Sequence, residues 1–314
     1  MAAGETPPAE VQLAVDALRR GELVILPTET VYGLACDAAN PRAVAAVFAA
    51  KGRPRFNPMI AHVTDLAAAE RIVVLDDRAR RLAEAFWPGP LTMAAPLRDP
   101  VAVCDLARAG LDSIAVRAPD HAATQAVLAA FGGAVAAPSA NRSGRPSPTT
   151  LADALEETGS SAAAWIDGGP CRVGLESTVV GSFDGELMLL RPGGITRAQI
   201  EAVAGPLLSG DAEGHRSPGR LTRHYAPSAP LRLDAERQTP GHAFLAFGPQ
   251  APTGSQVWNL SPSGDLVEAA ANLFSFLRAA DRSAPAGIDV APIPGDGLGE
   301  AINDRLARAA GRTG

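Results

Sequence analysis

The stretch from residue 23 to residue 63 constrains the fold more tightly than any other part of the chain. Two apolar runs, Leu23–Leu26 and residues 59–63, are each too short to form a helix. Between them Val44, Val47 and Phe48 recur at helical spacing, and Asn40 and Pro41 supply the cap and first-turn residues that start a helix. Length and periodicity together give strand, polar turn, helix, basic turn and strand. Polar groups gather at the ends of the apolar runs. Pro27 closes the first run and exposes Thr28, Glu29, Thr30 and Tyr32. Open α/β sheets place ligand crevices at strand ends, so these hydroxyls and the carboxylate suit a small polar ligand. Threonines that satisfy only their own loop backbone would look the same.

The pattern repeats. Helices are expected over residues 9–20, 66–72, 76–86, 121–131 and 151–157, and strands over 113–117, 134–137, 164–167, 177–180 and 187–190. Trp87-Pro88-Gly89-Pro90 reads as a stiff turn into a further strand, with Trp87 as a packing residue. On the strand over 113–117, Ser113, Ala115 and Arg117 share one face. An arginine among small residues there either clamps a carboxylate with two parallel bonds or stands at a surface edge. Residues 138–148, P-S-A-N-R-S-G-R-P-S-P, present Ser139, Asn141, Ser143, Gly144 and Ser147 with little bulk. Such a loop lets a polyanion approach the backbone, although an ordinary flexible loop has the same composition. Glu176, Ser177 and Thr178 open one strand and Arg191 closes another. Four segments thus bring hydroxyl, amide and guanidinium groups to strand ends, as a ligand crevice requires. From residue 201 to 230 Gly, Pro, Ser and charged residues prevail, which reads as a linker. Strands near 231, 243–247, 257–260 and 288–291, with helices over 265–278 and 300–310, then predict a small parallel-sheet domain. The glycines of residues 295–300 read as a turn.

Lys51 is the single lysine among 28 basic residues. Arginine is larger, planar and forked and cannot copy a compact ammonium, so a functional role is one explanation for its survival. The other is that one lysine had to be last. Lys51, Arg53 and Arg55 share a Gly/Pro-punctuated turn, either as a phosphate cradle held rigid by its prolines or as a solvated basic run. The net charge of −6 argues against a protein that binds RNA mainly by neutralising phosphates, while leaving room for a local arginine patch. Cys36, Cys104 and Cys171 lie far apart, which argues against a disulfide framework and a structural zinc. Neither a P-loop nor a dinucleotide fingerprint occurs. The first residues lack the marks of a signal peptide, and no stretch reaches membrane-spanning length, so a cytoplasmic protein without membrane contact is expected.

P-T-E-T-V-Y-G-L, K-G-R-P with N-P and His62 downstream, S-A-N, and G-x-E-S-T-V followed by L-R-P-G together resemble the YrdC-type domain of threonylcarbamoyl-adenylate synthases. S-P-G-x-x-x-x-H-Y-A-P, W-N-L-S, G-D-L-V-E-A-A and I-P-x-x-G-L-G-x-A-I-x-D-R-L resemble the longer, two-domain branch. The likeness spans nearly the whole chain in order. It implies an α/β fold with a twisted open mixed sheet flanked by helices over residues 9–200, a linker over 201–229, and a small Rossmann-like α/β domain over 230–314. It implies an enzyme that converts L-threonine, bicarbonate and ATP, with Mg²⁺, into threonylcarbamoyl-AMP and pyrophosphate. Partner proteins then transfer the threonylcarbamoyl group to an adenosine beside the tRNA anticodon, with any contact of this chain to tRNA weak or indirect. Lys51 and Arg53 carry over as catalytic residues. Lys51, Arg53, Asn57, Ser113, Ser139, Asn141, Ser147, Arg191 and Tyr225 carry over as ATP contacts, and Thr30, Tyr32, His62, Arg117, Ala137 and Ser177 as threonine contacts. No protein-held metal is implied. The carbamate intermediate needs shelter from water, so the linker with His224 and Tyr225 is expected to close over the crevice as a lid. The C-terminal domain is expected to act as a brace. A non-catalytic RNA-binding module and a carbamoyltransferase of the hydrogenase-maturation kind are the competing readings. The second lacks support because the extra cysteine pairs and long extensions of such proteins are missing.

Overall fold

The computed structural model describes residues 8–98, 102–208 and 224–311. The larger unit runs α1 (Ala9–Arg19), β1 (Leu23–Leu26), β2 (Gly33–Asp37), α2 (Pro41–Lys51), β3 (Ile60–His62), α3 (Leu66–Glu70), α4 (Asp77–Phe86), β4 (Leu91–Pro96), β5 (Ser113–Arg117), α5 (Ala122–Phe131), β6 (Val135–Ala136), α6 (Leu151–Thr158), β7 (Ala162–Trp165), β8 (Thr178–Phe183), β9 (Glu186–Arg191) and α7 (Arg197–Ala204). Its strands form one mixed sheet in the order β7-β1-β2-β6-β3-β5-β4-β8-β9. The smaller unit runs β10 (Leu231–Arg232), β11 (Ala243–Ala246), β12 (Val257–Asn259), α8 (Leu266–Arg282), β13 (Ile288–Val290) and α9 (Leu298–Ala309). Its sheet is parallel throughout, ordered β10-β13-β11-β12.

One expectation needs correction. Residues 33–37, read as part of a polar turn, form β2, which pairs antiparallel with β1 through Val24↔Ala35. G-L-A-C-D lacks the β-branched residues that mark a strand, and pairing across the hairpin supplies what propensity does not. The expected domain boundary at residue 201 falls inside α7. Thr196 and Gln199 start that helix with a reciprocal capping box, and the turns that follow pack on α4. Helix α2 begins as expected: the Asn40 side chain accepts from the amides of Arg42 and Ala43. That start fixes Lys51 as its last residue.

Alternation along the strands splits the large sheet into two faces. One face carries the main core, with Ile25, Leu34, Val47, Ala61, Met93 and Val116. On the other, α1 and α5 cover only the β1–β2–β6 side, through Val15, Leu18, Val24, Val127 and Val135. The rest of that face holds a small apolar patch of Ile60, Ala94, Ala115 and Val179 on β3, β4, β5 and β8. The C-terminal core of Leu245, Leu273, Phe274, Ile302 and Leu306 also takes in Val31 and Leu175 from the larger unit, so the two units meet along apolar contact.

Candidate active site

Strands β3 and β5 run side by side with His62 opposite Arg117. Arg117 is buried, donating from Nη1 to Thr30 Oγ1 at 2.9 Å and from Nε to the Gly89 carbonyl at 3.2 Å. Its Nη2 lies 2.6 Å from a carboxylate oxygen of Glu29, whose other oxygen accepts from the Asp120 amide at 3.1 Å. Arg117 is therefore an oriented cation in a buried ion pair. Glu29, one of the polar groups at the end of the first apolar run, is thus bound to this arginine. His62 is buried beside it with Nδ1 unpartnered. Burial, helped by the Arg117 charge, pushes its pKa down to about 3, so the imidazole stays neutral.

Thr30, His62, Arg117, Ala137 and Ser139 line a recess of about 30 Å³ backed by Leu26, Leu128 and Val135. The same five residues continue into a second recess of about 50 Å³, completed by Arg53, Glu176, Ser177, Arg191, His224 and Tyr225. A much larger open groove, about 850 Å³, lies between α3 and α5, but its lining is mainly alanine, glycine and aliphatic residues. The convergent polar chemistry is in the two small recesses, and these form the candidate site.

Lys51 stands behind the second recess. Its ammonium is buried and donates to the Ser139 carbonyl at 2.5 Å and to the Asn141 carbonyl, while its own carbonyl accepts from the Ser143 amide at 2.7 Å. Burial and the neighbouring Arg53 charge pull its pKa well below the ordinary lysine value. Lys51 clamps the serine–asparagine loop and is not part of the recess wall. Arg53 is, with Nε and Nη2 held by the carbonyls of Asn57 and Pro58 at 3.2 and 2.8 Å. Burial, with a contribution from the Arg191 charge, lowers its pKa to about 10, so it remains a cation. Two buried amide atoms nearby lack partners, Asn57 Nδ2 and Asn141 Oδ1. Arg191 donates to the Ser177 carbonyl from Nε and Nη2 at 3.1 and 2.9 Å, and the Ser177 hydroxyl pairs with that of Thr92 at 2.7 Å.

Besides Lys51, Asn57 and Asn141, three further expected contacts sit off the recess walls. The Tyr32 hydroxyl donates to the Gly169 carbonyl at 2.8 Å and accepts from the Gly168 amide at 3.0 Å, tying down a neighbouring loop. Ser147 turns inward and donates to Glu176 at 2.5 Å. Ser113 shares the Arg117 face of β5 but stands four residues away, roughly 13 Å along the strand, at the far edge of the apolar patch.

His224 and Tyr225 reach the site from the end of the linker. Tyr225 adopts φ 64°, in the left-handed region that few non-glycine residues occupy. Its ring lies 5.4 Å from that of Phe274, and the Arg305 guanidinium sits 5.3 Å from its centre. The His224 ring meets it edge-on at 4.1 Å, with Nδ1 unpartnered and its pKa pushed to about 3 by burial. Residues 209–223 of the expected lid lie outside the described residues. Among the described residues no group of three His, Cys, Asp or Glu stands together as a metal site. The carboxylates nearest the recesses, Glu29 and Glu176, are each bound to an arginine.

Residues 16–193 match the Sua5/YciO/YrdC family, described as "Telomere recombination", and residues 195–311 match the "Threonylcarbamoyl-AMP synthase, C-terminal domain". The chain is 38% identical to the threonylcarbamoyl-AMP synthase of Bacillus subtilis, over 96% of this chain and 93% of that protein. It is 37% identical to the threonylcarbamoyl-AMP synthase of Pyrococcus abyssi, over 96% and 94%. The crystal structure of P. abyssi Sua5 complexed with L-threonine superposes with a TM-score of 0.88 at 34% identity, covering 96% of this chain and 94% of that one. The two family matches run through both units and the relatives align over nearly the whole chain, so the chain belongs to the threonylcarbamoyl-AMP synthase family in its two-domain form.

Proposed function

We propose that this protein joins L-threonine, bicarbonate and ATP into threonylcarbamoyl-AMP and pyrophosphate. One observation carries the reading: a small recess lined by Thr30, His62 and Arg117 opens directly into one to which Arg53 and Arg191 add two further arginines. In the first, Arg117 and Thr30 face a carboxylate, and neutral His62 offers a nitrogen to an amine or hydroxyl. The amine of threonine adds to bicarbonate with loss of water, giving a carbamate. A carbamate oxygen then attacks the α-phosphorus of ATP in the second recess and pyrophosphate departs. Charge building on the phosphoryl oxygens is met by Arg53 and Arg191, already fixed by carbonyl groups and needing no reorganisation. Lys51 acts behind them, holding the backbone of residues 139–143 against its own helix. The apolar patch of Ile60, Ala94, Ala115 and Val179 offers the adenine a flat floor, with Ser113 at its far edge.

The donor set suits Mg²⁺ arriving as the ATP complex. Glu29 and Glu176 are committed to arginines, so phosphate oxygens and water supply its ligands and no step passes through a protein-held metal. His224 and Tyr225 shield the recess from water. The adenylate then passes to proteins that modify tRNA, a role that fits the cytoplasm; no described helix is long and apolar enough to cross a membrane. The arginines of the site point inward, which leaves the RNA-binding alternative without support. The test follows pyrophosphate release from ATP with threonine or bicarbonate omitted in turn. Release that requires both is expected, and release indifferent to either overturns the reading.

A further inference from the structure

Lys51 holds the loop of residues 139–147 from one side, and two buried carboxylates hold it from the other. Glu157 on α6 accepts from the Arg142 amide at 3.0 Å and from Arg145 Nε at 2.7 Å, both within the loop. The balancing charge comes from the C-terminal domain. Arg278 on α8 is buried, places Nη1 3.1 Å from the same carboxylate and donates from Nη2 to the Pro146 carbonyl. Glu176 repeats the arrangement, accepting the Ser147 hydroxyl at 2.5 Å and Arg305 Nε of α9 at 2.8 Å. Arg305 also donates to the Pro192 carbonyl at 2.9 Å, next to Arg191. Burial alone would raise the pKa of both carboxylates. The Arg142 amide with Arg278 and Arg145 on one, and Arg305 with Arg191 on the other, hold them below the usual value.

Other arginines cross the same interface differently. Arg282, itself half exposed, pairs with buried Asp153 and exposed Glu156, and Arg197 pairs with Glu300 through partly exposed groups; none of these residues lines the recesses. Exposed pairs contribute little, whereas removing one partner of a buried pair strands a charge. We propose that Arg278 and Arg305 of the C-terminal domain are positioning residues for the synthase reaction, setting the 139–147 loop and the Arg191 edge in the shape that receives the nucleotide phosphates. The proposal rests on the synthase reading of the site. It makes the C-terminal domain part of the nucleotide site, where the sequence suggested a brace.

The test uses the full-length protein with Arg278→Met, Glu157→Gln, the double variant and Arg282→Met as an interface control. Affinities for ATP with magnesium and for L-threonine are measured by titration calorimetry beside the melting temperature of each. Arg278→Met and Glu157→Gln are each expected to weaken ATP by about tenfold or more and to leave threonine within about twofold, because Arg117, Thr30 and His62 take no contact from these groups. The double variant is expected to bind ATP no more weakly than Arg278→Met, since one residue acts through the other. Arg282→Met is expected to keep the parent's ATP affinity. A folded Arg278→Met protein with parental ATP affinity overturns the proposal, as does an equal loss of both ligands that tracks melting temperature across all variants. If Arg278→Met does not fold, Arg278→Lys is judged by the same criteria, since it keeps the charge but cannot bridge Glu157 and Pro146. A parent that binds ATP yet releases no pyrophosphate with threonine and bicarbonate sinks the synthase reading and leaves the loop comparison valid.

Discussion

Lys51 places its compact amino group at the end of α2 between the carbonyls of Ser139 and Asn141. A planar guanidinium is too wide for that gap and would push the two carbonyls apart. Lys51→Arg is therefore expected to cost about 1–3 kcal/mol of stability by overpacking. It should also lower turnover by about a hundredfold, because displaced loop groups no longer meet the phosphates. Urea unfolding and the pyrophosphate assay check the two effects, and parental values in both would return the lone lysine to an accident of composition. His62 and His224 give a second prediction at this scale. Both are buried and neutral with pKa values near 3, the first facing Arg117 and the second facing Glu176, Arg53, Lys51 and Arg191. The unfolded chain takes up protons near pH 6.5 that the native state refuses. Stability is thus full above about pH 6.5 and falls towards pH 3, by about 1.4 kcal/mol per pH unit for each histidine. The carboxylates Glu157 and Glu176, held low, add their own loss only below about pH 4.5. Urea midpoints should fall between pH 7 and pH 5, and His62→Gln should flatten the slope. A midpoint that does not move over this range would show that the histidines are not held neutral.

Most elements could be read from the sequence because strands buried on both faces leave unbroken apolar runs, of which Leu23–Leu26 is the clearest. Strand β2 was hidden because G-L-A-C-D carries no strand preference of its own, and α7 because its cap at Thr196–Gln199 leads into only eight helical residues before the Gly/Pro-rich stretch. The site was legible as polar groups at strand ends, and Thr30, His62, Arg117, Ser177 and Arg191 do converge. Charge partners were not legible. Glu157 and Arg278 are 121 residues apart in the chain, and Glu176 and Arg305 are 129 apart, so only the packed fold joins them. One trace was visible: Arg278 continues the buried stripe of Leu273, Phe274 and Leu277 on α8, a charge where the helix should be apolar. The R-P-G motif after β9 also has a local cause. A Cβ on Gly193 would lie 2.4 Å from both the Glu176 carbonyl oxygen and the Thr178 amide nitrogen, so the exit of β9 rests directly on the entry of β8. Gly193→Ala must push back the residues that carry Glu176 and Ser177. A stability loss of about 1–3 kcal/mol is expected from that overpacking. Activity should fall with it, read by urea unfolding and pyrophosphate release, and an unchanged rate in a stable variant would mean that this contact does not set the site.

The whole molecule behaves as one machine only if its two units stay docked, because Tyr225, Arg278 and Arg305 reach the site from the C-terminal side. At Gly174 the larger unit lies directly against the backbone of α8. It sits at φ 71°, and a Cβ there would lie 2.5 Å from the Ala271 Cα and 2.6 Å from the Ala270 carbonyl oxygen on α8. Neither obstacle is a flexible side chain, so an alanine cannot be accommodated by a rotamer change. The left-handed conformation adds roughly 1–2 kcal/mol for any residue with a Cβ. Gly174→Ala should therefore lift α8 from the larger unit and loosen the Arg278–Glu157 and Arg305–Glu176 pairs together. The Glu29–Arg117 pair, built entirely within the larger unit, should persist. The expected result is a calorimetric melt that divides into two transitions, weakened ATP binding and retained threonine binding. A single sharp transition with parental ATP affinity would show that the site forms without close docking, and that the C-terminal domain contributes stability alone.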